Sequence, residues 1–379
     1  MASICFVAGD PSGDLHAAAL ITALKTRDPA LTFSGLGGPA MQQAGMTLLD
    51  DLTTTAAIGP FDAARHLATF RRAKHLLDQH LRKARPDLVI LVDFGDYNLP
   101  VIAPLVKRYQ IPIVYYISPQ IWAWGRWRLR YIRRYVDRMI VFFPFEETFY
   151  RRENIPVTWV GHPLIDHAKP TQTKDATMQQ VGLNPWRRIV GLLPGSRADE
   201  VRRHLPLMLK AAARIAWRMP GVQFLLPKAP TISRPMLERY LQQHPAVEIR
   251  ITEGSVYDAL QLMETAIIAS GTATLDAALC EVPMVVLYRT SWPTYLAARA
   301  VLRIPYIALV NVVAGREIVP EYVQHRAGAG RLANAVVDLM RDAEKRDAMR
   351  ANLREVRTKL GEPGAVDRAA SIVLSFFNS

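Results

Sequence analysis

Hydrophobic residues along this chain fall into short unbroken runs separated by stretches of helical periodicity. Residues 3–8, 31–34, 88–92, 113–117, 138–143 and 156–160 form such runs in the first half, and residues 189–193, 223–226, 247–251, 266–269 and 284–287 in the second. Runs of this length, closed by Gly, Pro or Asp, read as buried strands. Between them, apolar positions recur every three or four residues over 15–25, 61–84, 200–218, 236–243, 256–264, 331–358 and 365–377, with shorter helices near Phe145 and around Trp292, Tyr295 and Leu296. Strand alternating with helix predicts an α/β chain with parallel sheets. The polar stretch around Pro170 divides it. We therefore expect two open parallel-sheet domains, 1–168 and 188–358, joined by a linker over 169–187, with the last helix, 359–379, packing back on the first domain.

Ligands of open α/β sheets bind beyond the carboxyl ends of strands, so the residues that close each run carry the candidate chemistry. The run at 189–193 stops at Pro194-Gly195-Ser196-Arg197. Ser196 is a good N-cap, and Asp199 and Glu200 suit the first turn of a helix starting near it. Unpaired N–H groups beside Arg197 then suit a phosphate or diphosphate; an ordinary strand-to-helix turn fits the same residues. The run at 266–269 ends in Ser270-Gly271-Thr272, again small residues at a helix start, with Asp276 one turn on, placed to accept hydrogen bonds from ribose hydroxyls.

In the first half, residues 3–8 lead into Gly9-Asp10-Pro11-Ser12-Gly13-Asp14, and 31–34 into the glycines 35, 37 and 38, which read as a tight turn. Neither carries G-x-G-x-x-G, so a dinucleotide fingerprint is not supported. Asp93, closing the run 88–92, is a candidate general base or a turn cap; Asp96 is the weaker choice. Trp122 and Trp124 follow the next strand and suit an apolar or sugar-stacking wall. Behind them stand Arg126, Arg128, Arg130, Arg133 and Arg134, interleaved with aromatics, which suit nucleic acid, anionic lipid or a phosphosugar, or are plain surface arginines. His162 follows the last strand of this half, as a substrate contact or as turn packing. The helix at 61–84 sets Leu67, Phe70, Leu77 and Leu81 among basic residues, either packed on the sheet or lying on anionic lipid.

Composition narrows the partners. Forty-seven basic against 34 acidic residues give +13 over 379 residues, which favours nucleic acid, acidic lipid or phosphorylated substrates. No nucleic-acid motif occurs. Cys5 and Cys280, both in apolar surroundings, point to a reducing compartment without disulfides or a Cys-based metal site. The first ten residues lack the charge pattern of a signal peptide, and the longest uncharged stretch, 109–125 with its Pro and Gln residues, is too broken to span a bilayer.

Several motifs taken together resemble the lipid-A-disaccharide synthases, glycosyltransferases of the GT-B architecture. They are AGDPSGD (8–14), VDFGDYN (92–98), SPQIWAW (118–124), FFPFE (142–146), GHPLID (161–166), LLPGSR (192–197), SGTATLD (270–276) and NVVAGREIVPEYVQ (311–324). The resemblance implies two Rossmann-like domains facing a cleft. It implies inverting transfer of diacylglucosamine from its UDP derivative to the 6-hydroxyl of diacylglucosamine 1-phosphate, with release of UDP and with no metal and no separate cofactor. On the matching positions, Asp93 and Arg197 would be catalytic. Gly195, Ser196, Ser270, Gly271, Thr272, Asp276, Asn311, Gly315, Glu321 and Gln324 would hold the nucleotide. Asp10, Ser12, Gly13, Asp14, Asp62, Asn98, Trp122, Arg126 and His162 would meet the sugar substrates. The family usually has Glu where this chain has Asp10, Asp62 and Asp276, and Pro where it has Gly95. A cytoplasmic enzyme bound peripherally to an anionic inner-membrane surface, without nucleic-acid partners and able to form oligomers, completes the expectation.

Overall fold

Strand β1 (Ser3–Ala8) lies near the centre of a seven-stranded sheet completed by β2 (Thr32–Gly37), β3 (Thr47–Asp51), β4 (Leu88–Val92), β5 (Ile113–Tyr116), β6 (Arg138–Val141) and β7 (Val157–Trp159). The order is β3-β2-β1-β4-β5-β6-β7, and every pair is parallel. In the computed structural model, which describes residues 2–53, 63–244, 247–301 and 304–377, this sheet belongs to a unit formed by Met1–Pro163 and Gly361–Ser379.

Its two faces carry two cores. Ile4, Phe6 and Ala8 join Leu20, Ile21 and Leu24 of α1 (Pro11–Arg27), while Cys5 and Val7 face the other way, toward Leu77 and Leu81 of α3 (Ala63–Ala84). This is the two-residue alternation of a strand. The helix Ala365–Leu374 contributes Ala369, Ala370 and Val373 to the α1 side, and Arg27 bonds Ser371 Oγ at 2.5 Å and Asp367 Oδ1 at 3.0 Å. Leu77 and Leu81 lie in the core, so that part of α3 packs on the sheet, while Leu67, nearer its start, is 48 % exposed.

The second unit, Leu164–Leu360, holds a six-stranded parallel sheet of β8 (Ile189–Leu193), β9 (Gln223–Pro227), β10 (Ile249–Thr252), β11 (Thr265–Ala269), β12 (Met284–Tyr288) and β13 (Glu321–Val323), in the order β10-β9-β8-β11-β12-β13. β4, β8 and β11 are buried at every position, which central parallel strands covered on both faces require. In each sheet the strand order reverses once, between β1 and β4 and between β8 and β11. Those reversals open a crevice at the strands' carboxyl ends. Gly9–Asp14 and Asp93 lie at the first, and Gly195–Arg197 and Ser270–Thr272 at the second.

Four local expectations are corrected. The glycines after residue 34 are not a turn: Gly35 and Gly37 continue β2, and a Cβ on Gly35, with φ +146°, would meet the Phe6 carbonyl oxygen at 2.0 Å. Glycine is needed there so that β2 can close on β1. Residues 331–358 do not form one helix; Ala329–Arg341 and Ala343–Leu360 meet at Asp342, whose extended backbone ends the first and whose carboxylate accepts Lys345 N–H at 3.0 Å at the start of the second. The edge strands β3 and β13 were not expected. The stretch taken as a linker is folded into the second unit: it carries the helix Lys174–Val181, and Asp258 accepts the N–H groups of Thr171 (2.6 Å) and Gln172 (3.0 Å).

Candidate active site

At the first reversal the turn after β4 is held in an unusual shape. Asp93 (φ 40°) and Phe94 (φ 48°) are consecutive non-glycine residues in the left-handed region, a conformation that persists only where surroundings enforce it. The enforcement is visible. The Asp93 carbonyl accepts the Tyr115 hydroxyl at 2.5 Å and the Asn98 side-chain amide at 2.9 Å, and the same amide reaches the Val92 carbonyl at 3.2 Å. The backbone is thus pinned while the carboxyl projects from the strand end. Burial, reinforced by the charge of Asp10, pushes that carboxyl up to about 7. Asp96, by contrast, is exposed and ion-paired with the buried Arg128, so the turn has one carboxyl suited to taking a proton near neutral pH.

The other first-unit candidates have partners within the chain. Asp10 is the N-cap of α1, accepting Gly13 N–H at 2.9 Å; Ser12 is exposed and Gly13 buried in its first turn. Asp14 is buried and accepts three N–H groups, from Gly38 (3.0 Å), Ala40 (3.0 Å) and Met41 (3.1 Å), at the start of α2 (Pro39–Gln43). Those bonds make it the cap of α2. Asp14→Ala would strand those donors and is expected to destabilise the first unit by about 2–3 kcal/mol, read as a lower urea midpoint at unchanged slope.

Asn98 is fully buried and ties strand ends together. His162 is buried against the rings of Phe142 and Phe143, and burial, with His16 beside it, pushes it down to about 3, so its ring is neutral. Trp122 is half-buried, donating Nε1–H to Glu146 at 3.1 Å, and burial pushes that carboxyl up to about 8. The arginines are not a free array: Arg126 and Arg133 share Glu153, and Arg128 is buried with its guanidinium 4.0 Å from the Trp124 ring centre. Asp62 lies outside the described residues.

At the second reversal the Gly turn is already occupied. The helix Ala198–Arg218 starts one residue later than a Ser196 cap would place it, with Arg197 at the cap position. Glu200 folds back so that one carboxylate oxygen accepts the N–H groups of Ser196 (3.1 Å) and Arg197 (3.3 Å). Gly195, with φ +114°, makes room for it: a Cβ there would stand 2.4 Å from that oxygen. The Arg197 side chain is 83 % exposed, with Glu200 at 3.4 Å as its acidic neighbour.

Around this turn stand the expected nucleotide contacts. Ser270 Oγ donates to the Ile307 carbonyl at 2.8 Å, Thr272 is exposed, and Asp276 accepts the Tyr257 hydroxyl at 2.6 Å while burial raises its carboxyl. Three other residues named by the resemblance bond within the chain. Asn311 is fully buried, accepting the N–H groups of Ile318 (2.8 Å) and Val319 (3.1 Å) and donating to the Val319 carbonyl (2.9 Å) and Glu321 (2.8 Å). Glu321 accepts Ile307 and Ala308 N–H, both at 3.0 Å, beside the helix Leu309–Ala314, which Gly315 ends in a left-handed turn. Gln324 is buried and clamps Thr290 through both its backbone groups, at 2.8 and 2.9 Å. Their bonds shape the loops between β12 and β13.

Sequence reasoning missed His204, fully buried on the apolar face of the Ala198–Arg218 helix. Its Nδ1 faces the Pro194 carbonyl at 2.9 Å, and its Nε2 accepts Arg289 N–H at 3.0 Å, joining the loops after β8 and β12. Burial lowers it and keeps it neutral, as that bonding pattern requires. A lone His in an apolar stripe was the signal available. Among the described residues no group of three or more His, Cys, Asp or Glu could hold a metal ion.

Residues 4–376 match a protein family described as lipid-A-disaccharide synthetase. The chain belongs to that family. Lipid-A-disaccharide synthases from Syntrophus aciditrophicus and Geobacter sulfurreducens are 41 % and 40 % identical to it, each across 98 % of this chain and 97 % and 96 % of their own. Membership makes it a hexosyltransferase of the GT-B architecture. Solved structures agree on the fold: UDP-GlcNAc 2-epimerase from Neisseria meningitidis bound to UDP-GlcNAc superposes with a TM-score of 0.64 at 13 % identity, covering 100 % of this chain and 99 % of that one. The calicheamicin glycosyltransferase CalG4 gives 0.63 at 17 %, covering 100 % and 98 %. No helix among the described residues is long and apolar enough to cross a membrane.

Proposed function

We propose that this family member transfers 2,3-diacylglucosamine from its UDP derivative to the 6-hydroxyl of 2,3-diacylglucosamine 1-phosphate, with inversion, at an anionic membrane surface. The observation that carries the mechanism is the pinned Asp93 turn with a carboxyl near pH 7. Asp93 takes the proton of the acceptor hydroxyl as its oxygen attacks the anomeric carbon. The bond from that carbon to the diphosphate breaks on the opposite face, its electron pair leaving with UDP. Arg197 steadies the charge that develops there, and Ser270, Gly271, Thr272 and Asp276 hold the nucleotide. The uridine diphosphate donor agrees with the fold's occurrence in the Neisseria epimerase solved with UDP-GlcNAc.

The test is mass spectrometry of the lipid product from defined acylated substrates, with UDP release followed in parallel. One disaccharide 1-phosphate per UDP is expected. Turnover of non-acylated UDP-GlcNAc in preference to the acylated donor, or its epimerisation, would sink the lipid assignment.

A further inference from the structure

The helix Trp292–Val301 leaves the carboxyl end of β12 just after Arg289 and Thr290, which are held by His204 and Gln324. On it Trp292, Tyr295, Leu296 and Arg299 sit at i, i+3, i+4 and i+7, a spacing that puts them on one face. Such a face normally turns to the core. Here Trp292 is 56 % and Leu296 59 % exposed, Pro293 and Ala297 beside them are exposed too, and the Trp292 and Tyr295 rings touch edge to face at 5.8 Å.

The charge of this segment is one-sided. No Asp or Glu occurs between Glu281 and Glu317, whereas Arg289 stands just before the helix and Arg299 on it; Arg316, further on, is ion-paired with Glu355. Arg289 and Arg299 are exposed. Outward Trp, Tyr and Leu with arginine at the margin suit the boundary between lipid headgroups and acyl chains. The rings and Leu enter the acyl edge, Tyr and Trp keep their polar groups at headgroup level, and the Arg stem reaches back to phosphate. A face made for an acidic protein would carry its cations at the centre and not at the edge of an apolar patch.

We propose that the Trp292–Val301 helix is a membrane-entry element of the second unit, seating Trp292, Tyr295 and Leu296 in an anionic bilayer. This builds on the reading of an enzyme of acylated substrates, but its readout is lipid binding and not turnover.

The experiment uses the full chain, sedimented with vesicles of phosphatidylcholine alone or with a quarter phosphatidylglycerol. The wild type should bind the anionic vesicles, and Trp292→Ser with Leu296→Ser should weaken that partition by at least about tenfold. Arg299→Gln should lessen the preference for anionic over neutral vesicles. Turnover of detergent-dispersed substrates should stay within about twofold of wild type in both variants, since none of these residues belongs to the reaction site. Quenching by brominated lipid should fall in Trp292→Phe. Vesicle binding equal in wild type and double variant overturns the proposal, as does a wild type that ignores both vesicles. A dimer in size exclusion that the double variant dissolves, with vesicle binding intact, overturns it in favour of a self-interface. Loss of turnover in the wild type itself bears on the transfer reaction and not on this helix.

Discussion

Asp93→Asn is expected to lower kcat by about 10²–10⁴-fold while UDP affinity changes by less than about twofold, because it removes a proton acceptor and nothing that touches the nucleotide. Asn tolerates the left-handed backbone at φ 40°, so the turn, pinned by Tyr115 and Asn98 through its carbonyl, should survive. The pH profile carries the sharper information. A base must be ionised to act, and burial places Asp93 at about 7. kcat/KM should therefore fall about tenfold per pH unit below that value and level off above it. An acid limb near pH 4 would exclude Asp93 as the group that titrates. Stability runs the opposite way. A carboxyl raised from 3.8 to about 7 favours the fold fully below pH 3.8, and that contribution is lost as pH rises through 7. Above pH 7 the buried carboxylate is a cost, so Asp93→Asn should melt a few degrees higher than wild type at pH 8, measured calorimetrically. Loss of activity with a gain in stability separates a working carboxyl from a structural one such as Asp14, whose removal should do the reverse.

What the sequence made legible follows from burial. β1, β4, β8 and β11 are covered on both faces, so each is a short apolar run ending at Gly9, Asp93, Pro194-Gly195 or Ser270-Gly271, and the residues closing those runs lie at the two reversals of strand order. β3 and β13 are edge strands with half-buried faces, TLLDD and EYV, and a half-polar stretch of three to five residues has no period to detect. The side-chain roles were harder to read for a different reason. A carboxylate or amide after a strand looks the same whether it faces a ligand or the chain's own N–H groups. The partners of Asp14 lie at Gly38, Ala40 and Met41, and those of Asn311 at Ile318, Val319 and Glu321, contacts that only the closed fold creates. Glu200 is the clearest instance. It was taken as a first-turn carboxylate for the helix dipole, yet it occupies the N–H groups that the Gly turn was expected to offer a diphosphate.

That occupancy decides how Arg197 should be tested. Arg197→Ala is expected to lower kcat/KM for the UDP donor by about 10²–10³-fold, the scale of removing one preorganised cation from a departing diphosphate. Its side chain is 83 % exposed and its acidic partner is three residues away at 3.4 Å, so the fold should lose no more than about 0.5 kcal/mol. An unchanged urea midpoint would assign the whole effect to the reaction. Arg197→Lys should recover part of the rate, since it keeps the charge and loses the two-pronged geometry. Glu200→Gln then separates two ways of holding the diphosphate. If UDP takes the Ser196 and Arg197 N–H groups, it must displace a carboxylate of its own sign, and the neutral Gln should tighten UDP binding several-fold, by about 1 kcal/mol. If Glu200 stays on those N–H groups throughout, its place is to brace the turn and aim Arg197, and Glu200→Gln should weaken UDP instead. Isothermal titration of UDP against the three variants distinguishes these. Because Glu200 holds both N–H groups already, at 3.1 and 3.3 Å, the exposed guanidinium is the group there with freedom to meet a diphosphate first. Wild-type kinetics in Arg197→Ala would remove it from the reaction altogether.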